Sequence, residues 1–240
     1  MTDITITTPV HQLRGYLAQP TGDGPWPGVI MIHDALGMSH DLHYQANWLA
    51  EAGYLTLAPD LYSWGQKMTC LRVTFRDLLA GQGQTFEHID ATRQWLSQQP
   101  TCTGQIGVIG FCMEGGFALL LAPGHRFAVS SVNYGRVPAN AETVLQGACP
   151  IVGSFGGKDR TLRGTAGRLE RALDTLGIDH DIVEYADAGH SLLNEHHSIL
   201  FRVMGALISG GYHSPSAENA RQRILSFFER YLTSFPRECS

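Results

Sequence analysis

Short apolar runs bounded by turn residues alternate along the chain with stretches of helical periodicity. Pro27-Gly28 leads into Val29-Ile30-Met31-Ile32, a β-branched run of the kind found in a strand buried on both faces. From His40 to Ala52 the apolar or aromatic positions 42, 46, 49 and 50 recur at helical spacing, and Gly53 ends the segment. Tyr54 to Ala58 reads as a second buried strand closed by Pro59-Asp60. Tyr62 to Gly83 is less regular, a candidate lid, and Thr85 to Leu96 resumes helical periodicity. Strands follow at Ile106 to Ile109, Ala128 to Asn133, Ile151 to Phe155 and His180 to Tyr185. Helices are expected from Cys112 or Met113 to Leu121, from about Thr165 to Leu176, and over roughly Ala217 to Tyr231. The polar opening before Pro27 holds one or two edge strands.

Strands alternating with helices over the whole length require crossover connections. That predicts an α/β fold, a mostly parallel central sheet with helices on both faces, filling residues 1–240 as one domain. In such sheets, ligands bind beyond the carboxyl ends of the strands. The residues just after each strand are therefore where chemistry is expected.

Just after Ile106 to Ile109 comes Gly110-Phe111-Cys112-Met113-Glu114-Gly115-Gly116, directly before a helix. This is a nucleophile elbow with cysteine in the serine position: small residues permit the tight turn, and the helix N-terminus stabilises a thiolate and later an oxyanion. The string alone is weak evidence, because cysteine is often a small buried hydrophobe. Glu114 stands where a small residue is usual. It reads first as a tolerated acid comfortable in a helix's first turn, and more sharply as a group that crowds or tunes the thiol.

A free thiol is mostly protonated at neutral pH and needs a base. The chain has eleven histidines, but His190 alone follows the last predicted strand in a small-residue turn, Ala188-Gly189-His190-Ser191. Asp159, in Gly156-Gly157-Lys158-Asp159, follows the strand before it and would fix the imidazole's tautomer and orientation. Its plainer reading is a turn or N-cap aspartate. The order nucleophile, acid, histidine is that of the α/β-hydrolases. Two oxyanion donors are needed: the Met113 N–H and one from the loop His33-Asp34-Ala35-Leu36-Gly37, with Ala35 favoured. Asp34 either reaches the thiol or braces this loop.

Together these residues resemble the dienelactone hydrolase family over roughly Gly28 to Glu195 and the closing helix. The specific pieces are G-F-C-M-x-G-G at 110 to 116, P-D-L-Y at 59 to 62 and A-G-H-S at 188 to 191. The resemblance implies a Cys112, Asp159, His190 triad. It also implies a thiol-tuning role for the acid at Asp34, usually Glu in the family, and glycine is the family's usual residue at 114. Where the family has substrate-gripping arginines this chain has Trp64 and Asn194, which argues against a small dienelactone acid, and Trp64 with Tyr62 suggests a more apolar, aromatic substrate wall. Arg72, Arg76 or Arg136 could substitute from elsewhere.

Composition narrows the rest. A net charge of −5 without charge blocks argues against nucleic acid or an anionic membrane as partner. The opening MTDITITTPV lacks a secretory pattern, no run approaches a membrane span, and five cysteines at 70, 102, 112, 149 and 239 have no regular spacing. These features predict free thiols in a cytoplasmic protein, a monomer or small homo-oligomer. The pairs His40/His43 and His196/His197 do not join into a four-ligand set, so neither metal nor other cofactor is expected. The resulting expectation is a carboxylic ester hydrolase acting on a small-molecule lactone, ester or thioester. The alternatives are a ligand-binding member of the fold without catalysis and a thiol redox sensor.

Overall fold

A computed structural model describes residues 2–124, 127–194 and 212–233. The described residues form one sheet of eight strands: β1 (Thr2–Thr7), β2 (Gln12–Ala18), β3 (Trp26–Ile32), β4 (Leu55–Pro59), β5 (Cys102–Phe111), β6 (Val129–Asn133), β7 (Ile151–Gly156) and β8 (His180–Tyr185). Their order is β1-β2-β4-β3-β5-β6-β7-β8. β2 is antiparallel to both β1 and β4, and every other neighbouring pair is parallel.

The helices are α1 (His40–Glu51), α2 (Lys67–Ala80), α3 (Gln84–Ser97), α4 (Met113–Leu121), α5 (Ala141–Val144), α6 (Thr165–Leu176) and α7 (Ser214–Leu232). They cover both faces of the sheet because alternate side chains of a strand point to opposite sides. Ile30 and Ile32 join one core with Phe86 and Ile89 of α3, Phe117 of α4 and Leu169 of α6. Val29 and Met31 join the other, with Leu42 and Leu49 of α1 and Ile224 and Phe228 of α7. Burial on both faces explains why β3 reads as a continuous apolar run rather than an alternating one.

The segment expected to be irregular, Tyr62 to Gly83, instead contains the four-turn helix α2. Its inward positions are Cys70, Thr74, Asp77 and Leu78, spaced for a helix but mostly polar or small, while Met68, Phe75 and Leu79 point outward. The inside-out pattern hides the period from a hydrophobicity reading. Asp77 then does what a capping residue would do for α3. The N-cap of that helix is Gly83, which has no side chain, and Asp77 Oδ2 accepts from the Thr85 N–H at 2.9 Å and its hydroxyl at 3.0 Å. Arg76 holds the other carboxylate oxygen. Among the described residues, no helix is long and apolar enough to cross a membrane.

Candidate active site

The carboxyl ends of β3, β5, β7 and β8 meet at one edge of the sheet. Cys112 caps β5 and opens α4, with φ 59° and ψ −129°. A non-glycine residue in this region is strained by about 1–3 kcal/mol, and only surrounding packing keeps it there. The packing is specific. The Cys112 N–H donates to the Asn133 carbonyl at 3.1 Å, and its carbonyl accepts from the Gly115 N–H at 3.0 Å. A Cβ on Gly115 would lie 2.7 Å from the Asn133 oxygen, so α4 can approach the end of β6 only with glycine there.

The next two loops are drawn together in the same way. The Gly157 N–H donates to the Tyr185 carbonyl at 2.8 Å and the Lys158 N–H to the Ala188 carbonyl at 2.9 Å. A Cβ on Gly156 would stand 2.2 Å from the Gly189 oxygen. This close backbone contact delivers Asp159 to His190. His190 Nδ1 lies 2.5 Å from Asp159 Oδ2, and its Nε2 lies 3.1 Å from Cys112 Sγ. The other carboxylate oxygen of buried Asp159 accepts from the Thr161 N–H at 2.9 Å and its hydroxyl at 2.6 Å.

Electrostatics follow from this geometry. Burial alone would lower the His190 pKa, but hydrogen bonds to Asp159 and Cys112, with their negative charge, outweigh it and push the imidazole up to about 10. Asp159 is raised by burial and lowered by its bonds from His190 and Thr161, which prevail and keep it ionised. The arrangement can hold a thiolate beside an imidazolium and pass one proton between sulfur, imidazole and a bound group.

On the other side of the elbow, His33 ties the β3 loop to the β4 loop. The network assigns its Nδ1–H to the Asp34 carbonyl at 2.8 Å, and Nε2 accepts from the Leu61 N–H at 3.0 Å. Burial lowers the pKa of this ring, consistent with its neutral role. Asp34 Oδ1 accepts from the Leu36 N–H at 2.9 Å, so it braces the loop that presents Ala35, which is exposed. Met113 is the first residue of α4, where an N–H has no intrahelical acceptor.

Four of the expected positions are buried or already engaged by neighbouring side chains. Glu114, read first as a tolerated first-turn acid, does lie in the first turn of α4. It is fully buried, and neither carboxyl oxygen has a hydrogen-bond partner among the described residues. Asn194 is 5% exposed, and its amide is held between the Tyr134 hydroxyl and Asp41, which makes it a brace behind His190 rather than an open substrate contact. Trp64 packs its ring on His11 at 4.8 Å and edge-on to His88 at 6.1 Å. Tyr62 is buried too, its ring 4.6 Å from His33. Of the arginines considered as substitutes, Arg76 is paired with Asp77, and Arg72 and Arg136 are exposed. The pair His196/His197 and Cys239 lie outside the described residues, while Cys70, Cys102, Cys112 and Cys149 are free thiols.

Tyr134 is the residue that sequence reasoning missed. It follows β6 at φ 40°, its ring stands edge-on to the His190 imidazole at 5.4 Å, and its hydroxyl reaches Asn194. Its place directly after a strand was a usable signal; an unremarkable Tyr-Gly dipeptide concealed it.

Sheet order, strand-to-helix elbow and the three loops define an α/β-hydrolase. Within that class the chain belongs to the dienelactone hydrolase family, whose model matches residues 13–232. A candidate carboxymethylenebutenolidase of Escherichia coli K12 is 27% identical, the match covering 91% of this chain and 83% of that protein. A counterpart in Yersinia pestis is 24% identical over 97% and 89%. Among solved structures, a dienelactone hydrolase from Anabaena variabilis matches with a TM-score of 0.68 at 19% identity, covering 96% of this chain and 97% of that one. A dienelactone hydrolase-like promiscuous phosphotriesterase from metagenomic libraries matches with a TM-score of 0.78 at 19% identity and the same coverage.

Proposed function

We propose that the protein hydrolyses a small lactone, ester or thioester through an acyl-enzyme on Cys112. The observation that carries this reading is the single hydrogen-bonded line from Asp159 through His190 to the Cys112 sulfur. In the forward step the thiolate attacks the carbonyl carbon and a C–S bond forms. The carbonyl electrons move to oxygen, where the N–H groups of Ala35 and Met113 receive them. As the C–O or C–S bond to the leaving group breaks, the His190 imidazolium gives it a proton. A water then attacks the acyl-enzyme, His190 takes its proton, and the thiolate departs. Asp159 keeps the imidazole oriented throughout and stabilises its charge.

The acids near the thiol bear on the substrate. Asp34 acts electrostatically on neighbouring groups of the site, burial holds the Glu114 carboxyl well above its usual range, and Trp64 and Asn194 are engaged elsewhere. A neutral ester, lactone or thioester therefore fits better than a small carboxylate. The test is turnover of aryl esters, thioesters, lactones and a neutral phosphotriester by the wild type and Cys112→Ala. Substrate-dependent turnover lost in the variant, with a burst of acyl-enzyme on Cys112, is expected. No turnover of any of them, or equal turnover by the variant, would sink the reading.

A further inference from the structure

Large apolar side chains standing singly on a surface are ordinary, but a contiguous exposed patch marks a contact face. Among the described residues five large hydrophobic side chains are exposed, and three of them lie on α2: Met68 at 60%, Phe75 at 52% and Leu79 at 56%. At about 100° per residue they fall within roughly 40° of one another and form one stripe along the helix. Arg72 and Arg76 border it on one side and Lys67 stands on the other, all three exposed. The service of Asp77 to α3 explains why the inward side of α2 is polar; it does not explain why the outward side is apolar. Nor does the net charge of −5, which belongs to the whole chain, describe this region. From Leu61 to Phe86 the only acid is Asp77, which is buried and engaged by Arg76 and Thr85. The face is therefore apolar along its crest and cationic along its flanks.

We propose that the outward face of α2 docks on an anionic lipid surface. Met68, Phe75 and Leu79 enter the boundary between headgroups and acyl chains, while the cations beside them reach the lipid phosphates on long apolar stems. At the Leu79 end the stripe opens on a cavity of about 450 Å³ whose walls include Leu78, Leu120 and Val144, with exposed Arg136 beside them. The other end adjoins the candidate active site: Lys67 Nζ donates to the Leu36 carbonyl at 3.3 Å, in the loop that presents Ala35. A docked surface thus brings its dissolved esters close to that loop, a consequence that rests on the hydrolase reading, whereas the docking itself does not. A second copy of the chain is the poorer occupant. Face against face, Arg72 and Arg76 would meet their own counterparts with no exposed acid in the segment to answer them. A peptide partner is poorer too, because nothing polar on the crest would set its register. A fluid anionic surface needs only apolar depth and a cationic rim.

The full chain is sedimented at low ionic strength with sucrose-loaded vesicles of equal parts phosphatidylglycerol and phosphatidylcholine, and with vesicles of phosphatidylcholine alone. Binding to the mixed vesicles is expected to be about tenfold tighter or more, and to weaken as salt is added. Arg72→Gln should weaken it by about fivefold, and Phe75→Ser combined with Leu79→Ser by about tenfold or more. Tyr44→Ser removes an exposed aromatic from α1, on the other face of the sheet, and should bind as the wild type does. No binding to the mixed vesicles, equal binding to both kinds, α2 variants that bind like wild type, or a Tyr44→Ser as weak as they are would each overturn the proposal. So would a concentration-dependent dimer in analytical ultracentrifugation that the Phe75→Ser, Leu79→Ser pair abolishes, because the face would then belong to a second copy. If that double variant does not fold, Arg72→Gln and the salt dependence of the wild type decide. Binding is read without turnover, so a failed ester panel leaves docking standing, and absent docking leaves hydrolysis at Cys112 standing.

Discussion

Cys112 and Tyr134 are the two non-glycine residues at positive φ among the described residues, and their turns meet where the Cys112 N–H donates to the carbonyl of Asn133, the residue before Tyr134. Strain on both sides of the β5–β6 seam is tolerated because glycines let the two turns touch. A Cβ on Gly135 would lie 2.4 Å from the Gly115 carbonyl carbon and 2.6 Å from the Gly116 nitrogen. Gly135→Ala is therefore expected to destabilise the fold by ~1–3 kcal/mol. It is also expected to slow alkylation of Cys112, because the elbow must shift. Urea unfolding and iodoacetamide kinetics check the two effects separately.

Tyr134→Phe keeps the ring beside His190 and removes the hydroxyl that donates to buried Asn194. Leaving the Asn194 oxygen without that donor costs ~1–3 kcal/mol. The loop carrying His190 then loses one of its supports, so kcat is expected to fall more than KM changes. Steady-state kinetics on whichever ester turns over, with a thermal melt, test this; an unchanged kcat would show that Asn194 does not steady the imidazole.

Asp159→Asn keeps the shape of the acid but removes its charge. By analogy with other triads, kcat should drop by up to about ten-thousandfold. Asp159 is also one of the groups holding the His190 pKa up to about 10. Without it the imidazolium deprotonates at lower pH, so the alkaline limb of any residual activity should move towards neutrality. The same linkage acts on stability. The contribution of the raised His190 is complete below its unfolded pKa of about 6.5 and is lost as pH rises through about 10. The lowered Asp159 contributes above its unfolded pKa, and that contribution is lost as pH falls through its folded value.

His88 carries the opposite sign. Burial first, then the nearby His11, lower its pKa to about 4, with Asp77 offsetting part of the effect. A histidine that folds uncharged stabilises above its unfolded pKa of about 6.5, and this is lost as pH falls towards 4, a difference of roughly 3 kcal/mol. His88→Gln should flatten the fall in urea midpoint between pH 7 and pH 4.5. An undiminished fall in the variant would assign the acid sensitivity to other groups, His33 first among them.

The elements legible in the sequence are those whose burial matches their period. β3 and β4 are buried on both faces and read as largely apolar runs, and α1 carries its stripe at 42, 46, 49 and 50. Cys112, Asp159 and His190 could be picked out because each follows a strand, a rule of position that needs no distances. What stayed hidden depends on partners far along the chain. α2 turns polar residues inward because Asp77 serves the next helix. Asn194 is claimed by Tyr134 and Asp41, sixty and more residues away. No local pattern announces that the carboxyl group of Glu114 lies buried without a donor.

The segment just beyond His190 is held from both ends of the chain. The Leu193 carbonyl accepts from Gln45 of α1 at 2.8 Å and from Arg221 of α7 at 3.3 Å, and α7 seats Ala217, Ala220 and Ile224 in the core beneath. During synthesis the elbow cysteine emerges about a hundred residues before that last helix. A nascent chain can thus display the thiol while the loop bearing its base still lacks its clamp. Seating α7 supplies that clamp, so the loop bearing the base depends on the last of the described helices for its support.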